Sequence, residues 1–236
     1  MEYEHLKRII DGADSVVFFG GAGVSTGSGI PDFRGSGGLY TSDFDVQRPE
    51  EILTGRYMYR HPEDFFEYYK THMVYPDAEP NAAHRALAAL EREGKLTAVI
   101  TQNIDGLHQA AGSQNVIELH GSVRRNYCTE CGREYPLSYV MDAPGAPRCR
   151  HCGAVVRPDV VLYGESLDNN AWARAEDAIL AADVLIVGGT SLTVQPAASL
   201  VGEFSGDHLI IINRTPTPYD CYAEMLIREP IEDVLA

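Results

Sequence analysis

The sequence predicts an α/β protein whose core is a doubly wound parallel sheet, with a smaller lobe attached. Three observations predict it. Short apolar runs alternate with capped helical segments along most of the 236 residues, which is the rhythm of strands covered by helices on both faces. A glycine-rich turn, Gly20-Gly21-Ala22-Gly23, follows the first apolar run, Val16-Val17-Phe18-Phe19, as in Rossmann-like sheets, where ligands bind at the carboxyl ends of the strands. Two Cys-x-x-Cys pairs interrupt the alternation and mark an inserted metal module.

Taken in order, the expected strands are Ser15–Phe19, Leu96–Thr101, Val116–Leu119, Val160–Tyr163, Asp183–Val187, Leu209–Asn213 and Ala223–Ile227. Several are apolar on both faces, as strands in the middle of a covered sheet must be. The helices carry recognisable starts: Pro49 before Glu50-Glu51, Pro62 before Glu63-Asp64, Asn81 before Ala82-Ala83-His84, and Asp168 ahead of Trp172-Ala173. Gly94 and Gly112 fit helix ends. Residues 35–80 are long, aromatic and helical, with no sheet strand, and residues 123–156 hold four of the five cysteines. The expected division is therefore residues 1–34, 81–122 and 157–236 for the Rossmann-like domain, 35–80 for a helical insertion and 123–156 for a zinc-binding module. A cleft between such a domain and its satellite lobe is a common substrate site.

The 19 Lys and Arg against 34 Asp and Glu give a formal charge of −15. That charge repels polyphosphate backbones, so direct nucleic-acid binding is not expected. No run of roughly 18 or more apolar residues occurs and Met1-Glu2-Tyr3-Glu4 is too acidic to open a secretory signal, so a cytoplasmic protein with no membrane contact is expected. Between Val123 and Arg157, arginines 124, 125, 133, 148, 150 and 157 outnumber Glu130, Glu134 and Asp142. This patch reads as a solvated loop surface.

Cys128-x2-Cys131-x17-Cys149-x2-Cys152 has the spacing of a structural zinc ribbon. Gly132 and Gly153, each directly after the second cysteine of a pair, allow the tight turn that brings two thiolates to one cation. Four sulfurs close a tetrahedron and leave no open position, so the metal holds the lobe together and takes no part in catalysis. His151 is not needed as a ligand, and Cys221 is expected to be a free thiol.

The glycines run Gly21-x-Gly23-x-x-x-Gly27, not the G-x-G-x-x-G of hydride-transferring dehydrogenases. Such enzymes also place an acidic residue at the end of a second strand about 20 residues on. Asp43 and Asp45 lie near that distance but follow Leu39-Tyr40-Thr41-Ser42, which is no strand. At the ends of the expected strands stand Asn103 and Asp105, His120, Ser191 and Asn213. In this topology they converge above the sheet edge, around a space suited to a ribose and its leaving group. An imidazole titrates near neutrality and suits a general base acting on a ribose hydroxyl. Asp32-Phe33-Arg34 follows Pro31, where a rigid loop could fold an aromatic ring over the sugar.

Gly20-Gly21-Ala22-Gly23-Val24-Ser25-x-x-Ser28-Gly29-Ile30-Pro31-Asp32-Phe33-Arg34, Thr101-Gln102-Asn103-Ile104-Asp105, His120-Gly121, the four cysteines, Gly189-Thr190-Ser191-Leu192 and Asn213 together resemble the sirtuin family of NAD-dependent protein-lysine deacylases, in its prokaryotic single-domain form. The resemblance implies transfer of an ADP-ribosyl group, not of a hydride. By position it implies that His120 is the general base, that Asn103 orients the ribose and the attacking group, and that Asp105 and Ile104 hold the nicotinamide carboxamide. Phe33 would shield the reactive sugar carbon from water. The backbone of Ala22 and Gly23 would meet the diphosphate, and Thr190, Ser191 and Asn213 the phosphate and adenosine ribose. Gly20, Ser25, Thr26, Ile30, Asp32, Arg34, Gln102 and Gly189 complete the implied NAD contacts.

In the implied reaction the carbonyl oxygen of an acyl-lysine attacks the sugar carbon and expels nicotinamide. Proton removal from a ribose hydroxyl by His120 then moves the acyl group onto the sugar, leaving free lysine and O-acyl-ADP-ribose. The implied partners are acetyl-lysine proteins or peptides, with NAD consumed and one structural Zn ion. Asp159-Val160-Val161-Leu162-Tyr163-Gly164-Glu165 resembles the family's substrate strand, so Val160, Val161, Tyr163, Gly164 and Glu165 are implied to pair with an extended peptide. The family often has Phe where Tyr163 stands.

Members that prefer succinyl or malonyl groups carry Tyr-x-x-Arg in the helical insertion, and Phe65-Phe66-Glu67-Tyr68-Tyr69-Lys70-Thr71-His72 has no Arg three residues after either tyrosine. A buried carboxylate would lack its charge partner, so acetyl and other neutral acyl groups are expected unless Lys70 or His72 substitutes. Two other readings stand beside this one. A mono-ADP-ribosyltransferase would use the same cleft. A non-catalytic NAD or ADP-ribose sensor would have no use for a base such as His120 set beside Asn103 and Asp105.

Overall fold

In the computed structural model, which describes residues 2–33 and 49–235, the chain runs through α1 (Glu2–Gly12), β1 (Val16–Gly20), α2 (Pro49–Ile52), α3 (Gly55–Arg60), α4 (Pro62–His72), α5 (Ala82–Arg92), β2 (Leu96–Thr101), α6 (Leu107–Ala111) and β3 (Val116–Glu118). It continues through β4 (Gly121–Cys128), β5 (Glu134–Pro136), α7 (Leu137–Met141), β6 (Val156–Val160), α8 (Asn169–Leu180), β7 (Val184–Gly188), β8 (His208–Ile212), β9 (Met225–Ile227) and α9 (Ile231–Val234). Six strands form one parallel sheet in the order β3-β2-β1-β7-β8-β9. The winding reverses between β1 and β7, so the carboxyl ends of these two strands flank the crevice where such sheets bind ligands.

Strand periodicity divides the core cleanly. Val16, Phe18, Val99, Ile186 and Ile210 face one side and pack against Leu6 and Ile10 of α1, Leu87 of α5 and Ile231 of α9. Val17, Phe19, Ile100, Leu185, Val187 and Ile211 face the other and pack against Ala175 and Ile179 of α8 and against Leu200. Full burial of each large aliphatic or aromatic side chain contributes about 1.5–3 kcal/mol, which is why β1 and β7, buried along their whole length, read as continuous apolar runs. The caps expected from sequence are present. The Asn81 side chain accepts from Ala83 N and His84 N at 3.0 and 3.3 Å, and that of Asp168 accepts from Ala171 N at 2.8 Å.

The smaller lobe has one shared core. An antiparallel sheet, ordered β5-β4-β6, packs Val123, Val156 and Val160 against Met58, Phe65, Phe66 and Tyr69 of the helical insertion. Polar contacts join the same two parts. Lys70 Nζ donates to the carbonyls of Ala143 and Gly145 at 2.6 and 2.8 Å, and Ala146 N donates to Glu63 Oε2 at 2.7 Å.

Two expectations are corrected. The strand expected at Val160–Tyr163 is instead β6, which pairs antiparallel with β4 and not with the parallel sheet. The joins expected at 122/123 and 156/157 fall inside β4 and β6. After β1 the chain makes two 3₁₀ turns, Ala22–Val24 and Thr26–Ser28. Four glycines and Pro31 in that stretch cannot sustain a helix. Of the expected helical insertion, residues 35–48 lie outside the described residues, and 49–72 form α2, α3 and α4.

Candidate functional site

The floor of the crevice is two backbone turns in contact. Gly21 N and Gly23 N donate to the carbonyls of Gly188 and Gly189 at 3.2 and 2.8 Å. A Cβ on Gly23 would stand 2.8 Å from Gly189 Cα, and Gly189 itself has φ +58° with its Cβ direction 2.4 Å from Val24 N. Only glycine permits that approach and that conformation. Among the described residues, Ala22 N–H has no acceptor, so it is the amide of this turn left for a ligand. Gly20 ends β1 and accepts from Gln102 N at 3.0 Å. Thr26 Oγ1 donates to Gly23 O at 2.9 Å and Ile30 N to Ser25 O at 3.3 Å, which closes the loop on itself.

Above this floor the polar groups expected from sequence are brought together. Asn103 Nδ2 donates to Gly21 O and to Ser25 Oγ, both at 3.0 Å. Ser25 Oγ donates to Asp105 Oδ2 at 2.7 Å, while Asp105 Oδ1 accepts from Leu107 N at 2.8 Å. Burial raises the Asp105 pKa, against the opposing pull of those two bonds and of Arg124. Val123 N donates to Ile104 O at 3.0 Å, tying this turn to β4. Ser25 is nearly inaccessible, at 1% exposure, so it acts through Asn103 and Asp105.

His120 stands between β3 and β4. Its Nδ1 lies 2.9 Å from Gln102 O, and since a carbonyl only accepts, Nδ1 carries the proton and Nε2 keeps a free lone pair. Burial lowers the His120 pKa, only partly offset by that hydrogen bond. The ring is therefore neutral at pH 7 and ready to accept a proton at Nε2. Gly121, at φ +75°, could not carry a side chain, since its Cβ would meet Asp159 O.

On the far side of the switch point, Gln102 Nε2 donates to Thr190 Oγ1 at 3.0 Å, and the hydroxyls of Ser191 and Thr193 are 2.8 Å apart. Asn213 follows β8, and its Nδ2 donates to Thr215 O at 2.8 Å. Asp32 and Phe33 are half-buried at the end of the first described segment, and Arg34 lies outside the described residues.

Val161 N donates to His120 O at 3.0 Å and Tyr163 N to Leu53 O at 2.8 Å, so the segment after β6 runs between His120 and the helical insertion. Gly164 turns it at φ +85°. Sequence reasoning treated Glu165 as a substrate contact. Its carboxylate instead grips Arg157, with NH1–Oε1 at 2.8 Å and NH2–Oε2 at 2.9 Å. Arg157 is not singled out by the sequence, because nothing there separates one buried guanidinium from five others in an exposed patch.

The four cysteine sulfurs all lie within 4.8 Å of one another, with Cys128–Cys152 at 3.3 Å and Cys131–Cys149 at 3.6 Å. A tetrahedron of sulfurs about 2.3 Å from Zn has edges of about 3.8 Å, so this set fits that ion. Gly132 and Gly153 have φ +68° and +78°, as the two knuckles require. Tyr135 OH donates to Cys149 Sγ at 3.2 Å, an outer contact of the kind that orients a ligand.

The Sir2 family model matches residues 21–196. An NAD-dependent protein deacetylase of Cutibacterium acnes is 56% identical over 237 residues, covering 100% of this chain and 97% of the relative. One of Clostridium acetobutylicum is 52% identical over 232 residues, covering 98% and 95%. Among solved structures, a Sir2 complex with a deacetylated p53 peptide and 3′-O-acetyl ADP ribose has a TM-score of 0.91 at 37% identity, covering 100% of this chain and 96% of that one. A complex of a Sir2 homologue with NAD has a TM-score of 0.89 at 41% identity, covering 98% and 90%.

Proposed function

The chain belongs to the Sir2 family, and from that membership together with the site geometry we infer the reaction and the residues that perform it. The protein is an NAD-dependent protein deacetylase that transfers an acetyl group from lysine to ADP-ribose and releases nicotinamide and O-acetyl-ADP-ribose. NAD, when bound, supplies the activated sugar carbon and the nicotinamide leaving group. The single observation that supports the residue roles best is the closed network of Asn103, Ser25 and Asp105 beside a neutral His120 with its Nε2 free.

In this reading His120 Nε2 takes the ribose hydroxyl proton, and Asn103 is held by Gly21 and Ser25 in the one orientation that faces the sugar. Asp105 and Ile104 receive the carboxamide, Phe33 excludes water, and Ala22, Thr190, Ser191 and Asn213 address the diphosphate and adenosine ribose. The segment Val160 to Gly164 receives the acetyl-lysine peptide by strand addition. We also assign the lobe boundaries to the ends of β4 and β6. The protein is placed in the cytoplasm, where four reduced thiols can hold zinc. No helix of the described residues is long and apolar enough to cross a membrane.

The test is mass spectrometry of an acetyl-lysine peptide with and without NAD, run beside the succinyl version of the same peptide. NAD-dependent loss of acetyl, with O-acetyl-ADP-ribose formed, is expected. The acetyl peptide should turn over at least about tenfold faster, because a succinyl carboxylate brought into the lobe would lose its hydration without gaining a guanidinium. Lys70 is no substitute, since its ammonium is committed to the carbonyls of Ala143 and Gly145. Faster succinyl turnover would refute the acyl assignment, and NAD cleavage with the peptide still acetylated would favour a transferase.

Asp105→Asn is expected to lower kcat/KM for NAD about 10–100-fold, since an amide cannot accept from both Leu107 N–H and Ser25 O–H with its two terminal atoms, and a hydrogen bond to a charged group is worth roughly 1.5–3 kcal/mol. Initial rates at varied NAD check this. A variant within about twofold of wild type would remove Asp105 from the cofactor site.

A further inference from the structure

We propose that Arg157 and Glu165 are positioning residues for the peptide substrate, acting as a clamp that fixes the segment from Val160 to Gly164 before any peptide arrives. The inference rests on the deacetylase reading and deepens it. Arg157 is 9% exposed and makes more than the forked pair with Glu165: its NH2 also donates to Val160 O at 3.0 Å and its Nε to Pro158 O at 3.3 Å. Glu165 Oε2 in turn accepts from Leu162 N at 2.9 Å, and Glu165 N donates to Leu162 O at 3.0 Å. One ion pair thus holds the backbone at Pro158, Val160 and Leu162, and the Glu165 N–Leu162 O bond closes the turn.

The clamp also decides which backbone groups stay open. Val160 O, Leu162 N and Leu162 O are satisfied within it, Val161 N by His120 and Tyr163 N by Leu53. Among the described residues Gly164 N has no backbone acceptor and the carbonyls of Val161 and Gly164 no backbone donor. An extended peptide needs unpaired groups in a fixed row, and a row that is already rigid costs less order to bind. Burial pushes the Glu165 pKa up, but the Arg157 and Leu162 hydrogen bonds outweigh it and hold the carboxyl below its usual range.

A third element touches the clamp without sharing its charge. A Cβ on Gly55, in the first turn of α3, would stand 2.9 Å from Glu165 Oε1, so Gly55→Ala displaces the carboxylate by contact alone. Zinc-lobe strand, substrate segment and helical insertion therefore meet at this one pair.

Steady-state kinetics with an acetyl-lysine peptide and NAD, each varied in turn, compare wild type with Arg157→Met, Arg157→Lys, Glu165→Gln and Gly55→Ala. Arg157→Met and Glu165→Gln should raise the peptide KM about tenfold, with kcat and the NAD KM within about twofold. Arg157→Lys, which keeps the charge but not the fork, should fall between. Gly55→Ala should move the peptide KM in the same direction, and it carries the test if Arg157→Met fails to fold. Peptide KM unchanged while melting temperature falls, or both KM values rising together, overturns the proposal. A wild type inactive on acetyl peptides would instead overturn the deacetylase reading, and that outcome is visible before any variant is compared.

Discussion

Replacing His120 by Ala should lower deacetylation by about 10²–10⁴-fold in kcat/KM, the range associated with loss of a positioned general base, while leaving the protein folded. The expected size follows from what the ring does in place. Its Nδ1–H is anchored on Gln102 O at 2.9 Å, so Nε2 is both oriented and unprotonated, and no other imidazole is free to replace it. His84 and His108 are buried at 0% and 1% exposure beneath the crevice, in ring contact with each other at 4.7 Å. Folding should survive because the variant gives up one hydrogen bond of a half-buried side chain, about 1 kcal/mol. A melting temperature near that of wild type, together with activity lost by at least a hundredfold, is the expected pair of results. Activity above a tenth of wild type would transfer the base role elsewhere.

The same residue sets the acid limb of the pH profile. Burial lowers the His120 pKa, so the neutral, proton-accepting form persists to lower pH than an exposed imidazole, whose value is about 6.5. Activity should hold steady as pH falls from 8 toward that value and decline only below it. A decline centred above about pH 7 would mean that the ring is charged in the resting enzyme, contrary to its burial.

What could be read from the sequence was whatever burial writes into composition. Val16-Val17-Phe18-Phe19 and Val184-Leu185-Ile186-Val187 are apolar because both sheet faces are covered, and the cysteine spacing carries its own geometry. Val160-Val161-Leu162 gave the same apolar signal for a different reason. Val160 and Leu162 are buried against the helical insertion, but the amides of Val161, Leu162 and Tyr163 go to His120, Glu165 and Leu53 instead of a parallel neighbour, and apolarity alone cannot tell these apart. The Arg157–Glu165 pair was illegible for a related reason. Its partners are eight residues apart across a turn, a separation that belongs to no helix or strand period. Arg125 looked equivalent in sequence yet lies at the surface, paired with Glu118 and Asp159 at 2.6 and 2.7 Å.

Removal of zinc should be as damaging as loss of the base, though by a different route. The four sulfurs join the turn after β4 to the turn before β6, and these two strands pair from Cys128↔Val156 to Gly121↔Val160. Gly121 follows His120, the proposed base, and Val160 opens the segment proposed to receive the peptide. The lobe core then extends the effect, since Val156 and Val160 pack with Phe65, Phe66 and Tyr69 of the helical insertion. Without the metal, four thiolates cannot remain together by their own repulsion, and the free energy that zinc contributes to folding of such modules is lost outright. The parallel sheet has its own two cores, on which α1, α5, α8 and α9 pack, so it should persist. Atomic emission should find one zinc per chain. Stripping it with a thiol reagent and chelator, or substituting Cys149→Ser, should lower the melting temperature by on the order of 10 °C and abolish peptide deacetylation, with far-ultraviolet circular dichroism mostly retained. Full activity at well below one zinc per chain would show that the lobe is held by its apolar core alone.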